Sequence, residues 1–226
     1  MDPILFDWDG TLADSLGAIY AANVAVMAEF ELPFDRDLYR LHFAPDWRVM
    51  YARLGVPGDR LEEANARWWA ALGADDTALF PGVREALGRL AAAGHPLAIV
   101  TAGRSDRVGA ELRRLELEPL FGAIVFGDDY PAQKPDPAPF RAALERLGLA
   151  DRIASSRYVG DTPDDMRMAV AAGARGIGIE SVLGDASDLR AAGAQETAAS
   201  MVEWVDRLLD GPSPGRVARP PAAPPG

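Results

Sequence analysis

The chain has 226 residues, enough for one good core and a second small one, and 49% are hydrophobic, as in ordinary soluble globular proteins. It has no cysteine, which excludes disulfides, thiolate metal sites and cysteine nucleophiles. Its formal net charge of −11 argues against nucleic acid and anionic membrane surfaces as partners, because both are polyanions. A phosphorylated ligand would also be repelled at long range, so a phosphate site here needs its own positive field, most simply a bound cation. No apolar stretch approaches the roughly 18 residues that cross a bilayer. A strand pattern begins already at Ile4, which leaves little room for a removable signal. A cytoplasmic protein is expected.

The first predicted element is a buried strand at 4–6 (ILF), which runs into Asp7-Trp8-Asp9-Gly10-Thr11. Residues 14–80 then read as helical throughout. Their segments span Tyr20 to Phe30, Leu38 to Phe43, Trp47 to Leu54 and Leu61 to Leu72, with breaks at Pro33, Pro45 and the Gly55–Gly58 turn. From about residue 82 helices and strands alternate. Helical patterns at 82–93, 104–116, 136–148, 163–173 and 200–210 separate apolar runs at 97–100, 123–126, 157–160 and 176–179. These runs are continuous rather than alternating, as strands covered on both faces should be. The expectation is an open, doubly wound, Rossmann-like parallel α/β sheet built from 1–13 and 81–210. A helical cap over 14–80 is expected above it. The proline-rich segment 211–226 has no apolar face and is expected to be disordered.

In such sheets ligands bind at the carboxyl ends of the strands. Those ends carry Asp7 and Asp9, then Thr101-Ala102-Gly103, then Gly127-Asp128-Asp129 with Lys134-Pro135 across a loop, then Gly160-Asp161 leading to Asp164-Asp165. Carboxylate and carbonyl oxygens suit magnesium. A bound cation would offset the mutual repulsion of these acids. Lys134 is the only lysine among 23 lysines and arginines. In a chain that uses arginine everywhere else, it marks a place where a compact ammonium fits and a broad guanidinium does not. The bland alternative is chance in a lysine-poor chain. Trp68 and Trp69 are expected to pack the cap or a subunit contact rather than touch a ligand.

The segments DWDGTLADS at 7–15, the apolar run ending in Thr101, KPDP at 134–137 and GDTPDD at 160–165 occur in one order. Together they make the chain resemble the haloacid dehalogenase-like superfamily, in particular its phosphoglycolate-phosphatase-like branch with a helical cap. The resemblance implies Asp7 as nucleophile and Asp9 as general acid and base. It implies Mg2+ held by Asp7, Asp161 and the main-chain carbonyl of Asp9, with Asp165 supporting the metal or its waters. Expected substrate contacts are Gly10, Thr101, Ala102 (through its backbone) and Lys134. In the cap, Arg48 is the expected partner of a substrate carboxylate, because it opens a helix just after a proline-marked turn. The expected activity is hydrolysis of a small phosphorylated metabolite such as phosphoglycolate, in a monomer or homodimer. A phosphomutase of the same fold and a non-catalytic binding protein are the alternatives.

Overall fold

A computed structural model of the chain describes residues 1–73 and 77–211. Six strands form one sheet in the order β3-β2-β1-β4-β5-β6. They are β1 (Ile4–Phe6), β2 (Leu97–Val100), β3 (Ala123–Val125), β4 (Arg157–Gly160), β5 (Arg175–Ile179) and β6 (Ala194–Ala198). Every neighbouring pair is parallel. Sequence reading anticipates the first five strands and misses β6. That strand reads AQETA, with Gln195 and Glu196 exposed, because it closes one edge of the sheet. An edge strand has water on one side and lacks the apolar run that marks a covered strand.

Between β1 and the next core helix lie α1 (Leu16–Glu29), α2 (Arg36–His42), α3 (Trp47–Arg53) and α4 (Leu61–Leu72). Two of them open on aspartate caps. Asp35 accepts from the Leu38 N–H at 2.8 Å, and Asp46 accepts from the Arg48 N–H at 2.9 Å. The four helices share their own core around Val26, Met27, Tyr39, Met50, Tyr51 and Ala64, and Leu183 reaches into it from the loop after β5. The two connections to this layer pair with each other. The Asp14 N–H donates to the Ala78 carbonyl at 2.9 Å and the Phe80 N–H to the Leu12 carbonyl at 3.1 Å. Arg40 of α2 also pairs with Asp185 at 2.8 Å and with Asp188, both beyond β5.

The remaining helices are α5 (Val83–Ala92), α6 (Ser105–Arg114), α7 (Ala138–Arg146), α8 (Pro163–Ala172), α9 (Ala186–Ala191) and α10 (Met201–Asp210). Alternate strand residues divide between two cores. Ile4, Phe6, Leu97, Ile99 and Val159 pack with α5, α6 and α10 on one face. Leu5, Ala98, Val100, Tyr158 and Val125 pack with α7 and α8 on the other. The expectation for the proline-rich end falls, from position 212 onward, outside the described residues.

Candidate active site

The register places three strand ends side by side. Phe6 lies opposite Ile99 of β2 and Val159 of β4, so Asp7, Thr101 and Asp161 emerge together along one edge. The β1–β4 neighbourhood is where the strand order reverses, and a crevice opens there in doubly wound sheets. The chain leaves β1 through a tight turn in which the Trp8 carbonyl accepts from the N–H groups of Thr11, Leu12 and Ala13. Gly10 holds φ at 76° within it. A Cβ on Gly10 would lie 2.5 Å from Asp161 Oδ2, so only glycine lets this turn meet the end of β4.

Lys134 lies at the centre of the acidic residues. Its Nζ is 2.8 Å from Asp7 Oδ1 and 2.8 Å from Asp165 Oδ1, and all three side chains are buried. The other oxygen of Asp165 accepts from the backbone N–H of Thr162 at 3.0 Å and from its hydroxyl at 2.7 Å. This capping box starts α8 and fixes Asp165 against Lys134. Asp164, for which the sequence suggests no role, pairs with Arg167 at 2.7 Å in the first turn of the same helix. Thr101 is buried at the end of β2, and its Oγ1 accepts from the Gly103 N–H at 2.9 Å.

Asp7, Asp161 and Asp165 each offer an oxygen within 4.8 Å of the others. Asp161 Oδ1 accepts from the Thr11 hydroxyl at 3.3 Å, whereas Oδ2 is buried with no hydrogen-bond partner. An unpaired carboxylate oxygen beside two further buried carboxylates suits a hard divalent cation. The electrostatics agree. Burial pushes the Asp7 carboxyl up to about 7, against the pull of Lys134 and with a further push from Asp165. Burial, Asp7 and Asp165 raise Asp161 well above the carboxylate range. Lys134 stays charged, because Asp165 and Asp7 outweigh the burial that would otherwise lower it.

Asp9 lies in a different environment, one that sequence reading did not foresee. Burial works to raise its pKa, but the Arg107 guanidinium more than offsets this and holds the carboxyl below its usual range. Ser15 Oγ donates to Asp9 Oδ1 at 2.6 Å. Arg107 also pairs with Glu111 at 2.8 Å, one turn further along α6, and Glu111 accepts from the Trp8 indole N–H. The available sequence signal was an arginine and a glutamate four apart on the same helix face as Val108 and Leu112.

Asp7, Asp9, Thr101, Ala102, Lys134 and Asp161 all line one cavity of ≈160 Å³ beneath the four-helix layer. Asp165 sits behind it through Lys134, and Gly10 shapes the turn beside it. Arg48 is not brought to this cavity. Its guanidinium stacks 4.3 Å over the Trp47 ring and pairs with Glu62 at 2.8 Å on the exposed side of the four-helix layer. Trp68 and Trp69 do line it, and Trp68 also packs on the core of the four-helix layer, so the packing expectation held for only part of their role. Tyr39 of α2 comes near enough that Asp161 and Asp9 add to burial in raising its hydroxyl pKa.

Comparison with known proteins places this geometry. The profile described as haloacid dehalogenase-like hydrolase matches residues 4–179. A phosphoglycolate phosphatase of Chromobacterium violaceum is 31% identical over 221 residues, covering 92% of this chain and 96% of that protein. The crystal structure of a hydrolase from Pseudomonas syringae superposes with a TM-score of 0.80 at 26% identity, covering 92% of this chain and 98% of that one. A structure from Thermotoga maritima described as a β-phosphoglucomutase gives a TM-score of 0.70 at 28% identity, with coverages of 93% and 99%. The family match spans the strand ends that carry Asp7, Thr101, Lys134 and Asp161, and with them the whole acidic crevice: the chain belongs to the haloacid dehalogenase-like hydrolase family.

Proposed function

We propose that this hydrolase is a magnesium-dependent phosphatase that transfers the phosphoryl group of a small phosphate monoester first to Asp7 and then to water. The observation that carries the reading is the Lys134 ammonium bridging Asp7 and Asp165 beside the unpaired oxygen of Asp161. Magnesium would be held by Asp7, Asp161 and the Asp9 carbonyl, with Asp165 in support, and when bound it supplies neutralising charge and polarises the phosphoryl oxygens. The Asp7 carboxylate attacks phosphorus as the bond to the leaving oxygen breaks, and Asp9, which Arg107 holds ionised in the free protein, takes up a proton when substrate binds and passes it to that oxygen. Water then attacks the phosphorus of the aspartyl phosphate and passes its proton to Asp9, which frees Asp7 and inorganic phosphate. The Thr101 hydroxyl, the Ala102 backbone and Lys134 hold the remaining phosphoryl oxygens, and Gly10 keeps the turn open beside them.

The substrate is a small phosphorylated metabolite, and the Chromobacterium relative is named for phosphoglycolate. Residues 14–80 act as its cap, in a cytoplasmic setting. A phosphomutase is the second reading, supported by the likeness to the Thermotoga structure. A mutase must hold the second phosphate of a bisphosphate, and the cap lends the cavity no charged side chain among the described residues, which favours hydrolysis. Phosphate release from p-nitrophenyl phosphate tests the proposal. It should require magnesium, stop in excess chelator and disappear in Asp7→Asn; activity that survives chelation overturns the metal-dependent reading.

A further inference from the structure

The half of the cavity that would face the leaving group differs from the phosphoryl end. Phe43, Trp47, Met50, Trp68 and Trp69 line it, and the cap adds no acid, lysine or arginine to the wall among the described residues. Each cation on the core side already has a carboxylate. Lys134 holds Asp7 and Asp165, Arg107 holds Asp9 and Glu111, and Arg104 pairs with Asp106 at the exposed rim. A second anionic group on the substrate would therefore find no cation on the cavity wall that lacks a carboxylate, among the described residues. A cationic group finds no carboxylate on the cap wall.

One polar group on that wall has a vacancy. Asn23 of α1 is 1% exposed, and its Oδ1 accepts from the Tyr51 hydroxyl at 3.0 Å. Its Nδ2 is buried with no partner. Turning the amide over would leave the Tyr51 hydroxyl proton without an acceptor as well, so the donor Nδ2 is the atom left over. A buried donor without an acceptor is costly, and a bound molecule that places an oxygen there removes the cost. The volume bounds the leaving group at about one ring, since an apolar cavity of about 150 Å³ accommodates one benzene ring and the phosphoryl end shares this one.

Resting on the phosphatase reading, we infer that the substrate is the phosphate ester of a neutral, apolar alcohol with one ring or a short branched chain, bearing a hydrogen-bond acceptor that meets Asn23. Its body packs against the aromatic wall, where rings gain from offset and edge contacts as well as from leaving water.

The test is kcat/KM of the full chain with magnesium for benzyl phosphate, 4-acetylbenzyl phosphate, ethyl phosphate, phosphoglycolate and phosphocholine. Benzyl phosphate should exceed ethyl phosphate by about tenfold or more, the gain expected from burying a ring. The 4-acetyl compound should exceed benzyl phosphate. Phosphoglycolate and phosphocholine should not exceed ethyl phosphate. In the double variant Asn23→Leu/Tyr51→Phe, which removes both partners of one hydrogen bond, the ratio of 4-acetylbenzyl to benzyl should fall to about one. A ratio measured within one preparation is insensitive to loss of folded protein. The inference is overturned if phosphoglycolate or phosphocholine is the better substrate, or if the acetyl advantage persists in the double variant. A phosphoglycolate preference that disappears in Arg104→Ala would identify the rim arginine as the true anion partner. If the panel and p-nitrophenyl phosphate all go unhydrolysed, the phosphatase reading fails and takes the inference with it; turnover with the wrong preference sinks the inference alone.

Discussion

Arg107 grips Asp9 with both terminal nitrogens, Nη1 3.0 Å from Oδ1 and Nη2 2.5 Å from Oδ2. The pair is largely buried, with side-chain exposures of 8% and 18%. It is one link in a chain that runs from Asp9 through Arg107 and Glu111 to the Trp8 indole, and so returns to the turn that carries Asp7 and Asp9. The two-pronged contact fixes the orientation of Asp9 as well as its charge.

Removing the guanidinium therefore strands two buried carboxylates. Arg107→Met should cost about 3–5 kcal/mol of stability, the usual penalty for breaking one side of a buried ion pair. Arg107→Lys keeps the charge but not the fork, and should fall between the variant and the parent. In folded protein kcat should drop more than KM rises if, as proposed, Asp9 acts on the leaving oxygen in the transition state. Denaturant melts and steady-state kinetics check both. An Arg107→Met protein as stable as the parent would mean that the network does not constrain the turn.

Lys134 should resist its nearest chemical relative. Its ammonium is enclosed by Asp7, Asp165 and the Tyr158 ring, whose centroid is 5.4 Å away, and the side chain is 4% exposed. A guanidinium is larger and cannot take the same point between two carboxylates. Lys134→Arg should lose roughly 2–4 kcal/mol of transition-state stabilisation, comparable to loss of a preorganised donor. A variant within about threefold of the parent in kcat/KM, a change well under 1 kcal/mol, would make the lone lysine an accident of composition.

The acid trio makes metal-free stability depend on pH. Asp7 titrates near 7 when folded, against 3.8 for an unperturbed aspartate. Between those values the unfolded chain has released the proton and the folded chain has not, so this group's contribution to stability falls as pH rises and levels off above about 7. From pH 5.5 to 7.5 Asp7 alone accounts for about 2 kcal/mol, and Asp161, also raised, acts in the same direction. Asp9 is held low and has finished titrating in both states by pH 5.5. In chelator the protein should melt several degrees lower at pH 7.5 than at 5.5. Magnesium should raise the melting temperature more at pH 7.5, where it no longer competes with protons. A magnesium shift that is equal at both values would contradict the placement of the cation among these carboxylates.

Much of this was legible in the sequence, for identifiable reasons. β1 to β5 announce themselves because strands covered on both faces must be apolar throughout, and the polar residues ending them stand out by contrast. Asp7, Thr101, Lys134 and Asp161 are readable as one site once the strands are read as parallel. β6 escapes because Gln195 and Glu196 face water at the sheet edge. Arg107 escapes because its partner Asp9 is 98 residues away and helix arginines usually point outward. The sequence points to Arg48 through its place at the start of its helix, but position along the chain does not fix which way a side chain turns. The stacking of Arg48 on Trp47 and its pair with Glu62 turn it to the outside of the cap.

On the proposed mechanism Asp7 carries the phosphoryl group. This is tested most directly by mixing the Asp9→Asn variant with p-nitrophenyl phosphate and magnesium, quenching in acid and reducing with borohydride, which converts an aspartyl phosphate to homoserine. Peptide mass spectrometry should find homoserine at position 7 and unchanged aspartate at 161 and 165. Homoserine at another position, or a burst of nitrophenol with Asp7 unmodified, would rule out Asp7 as the nucleophile.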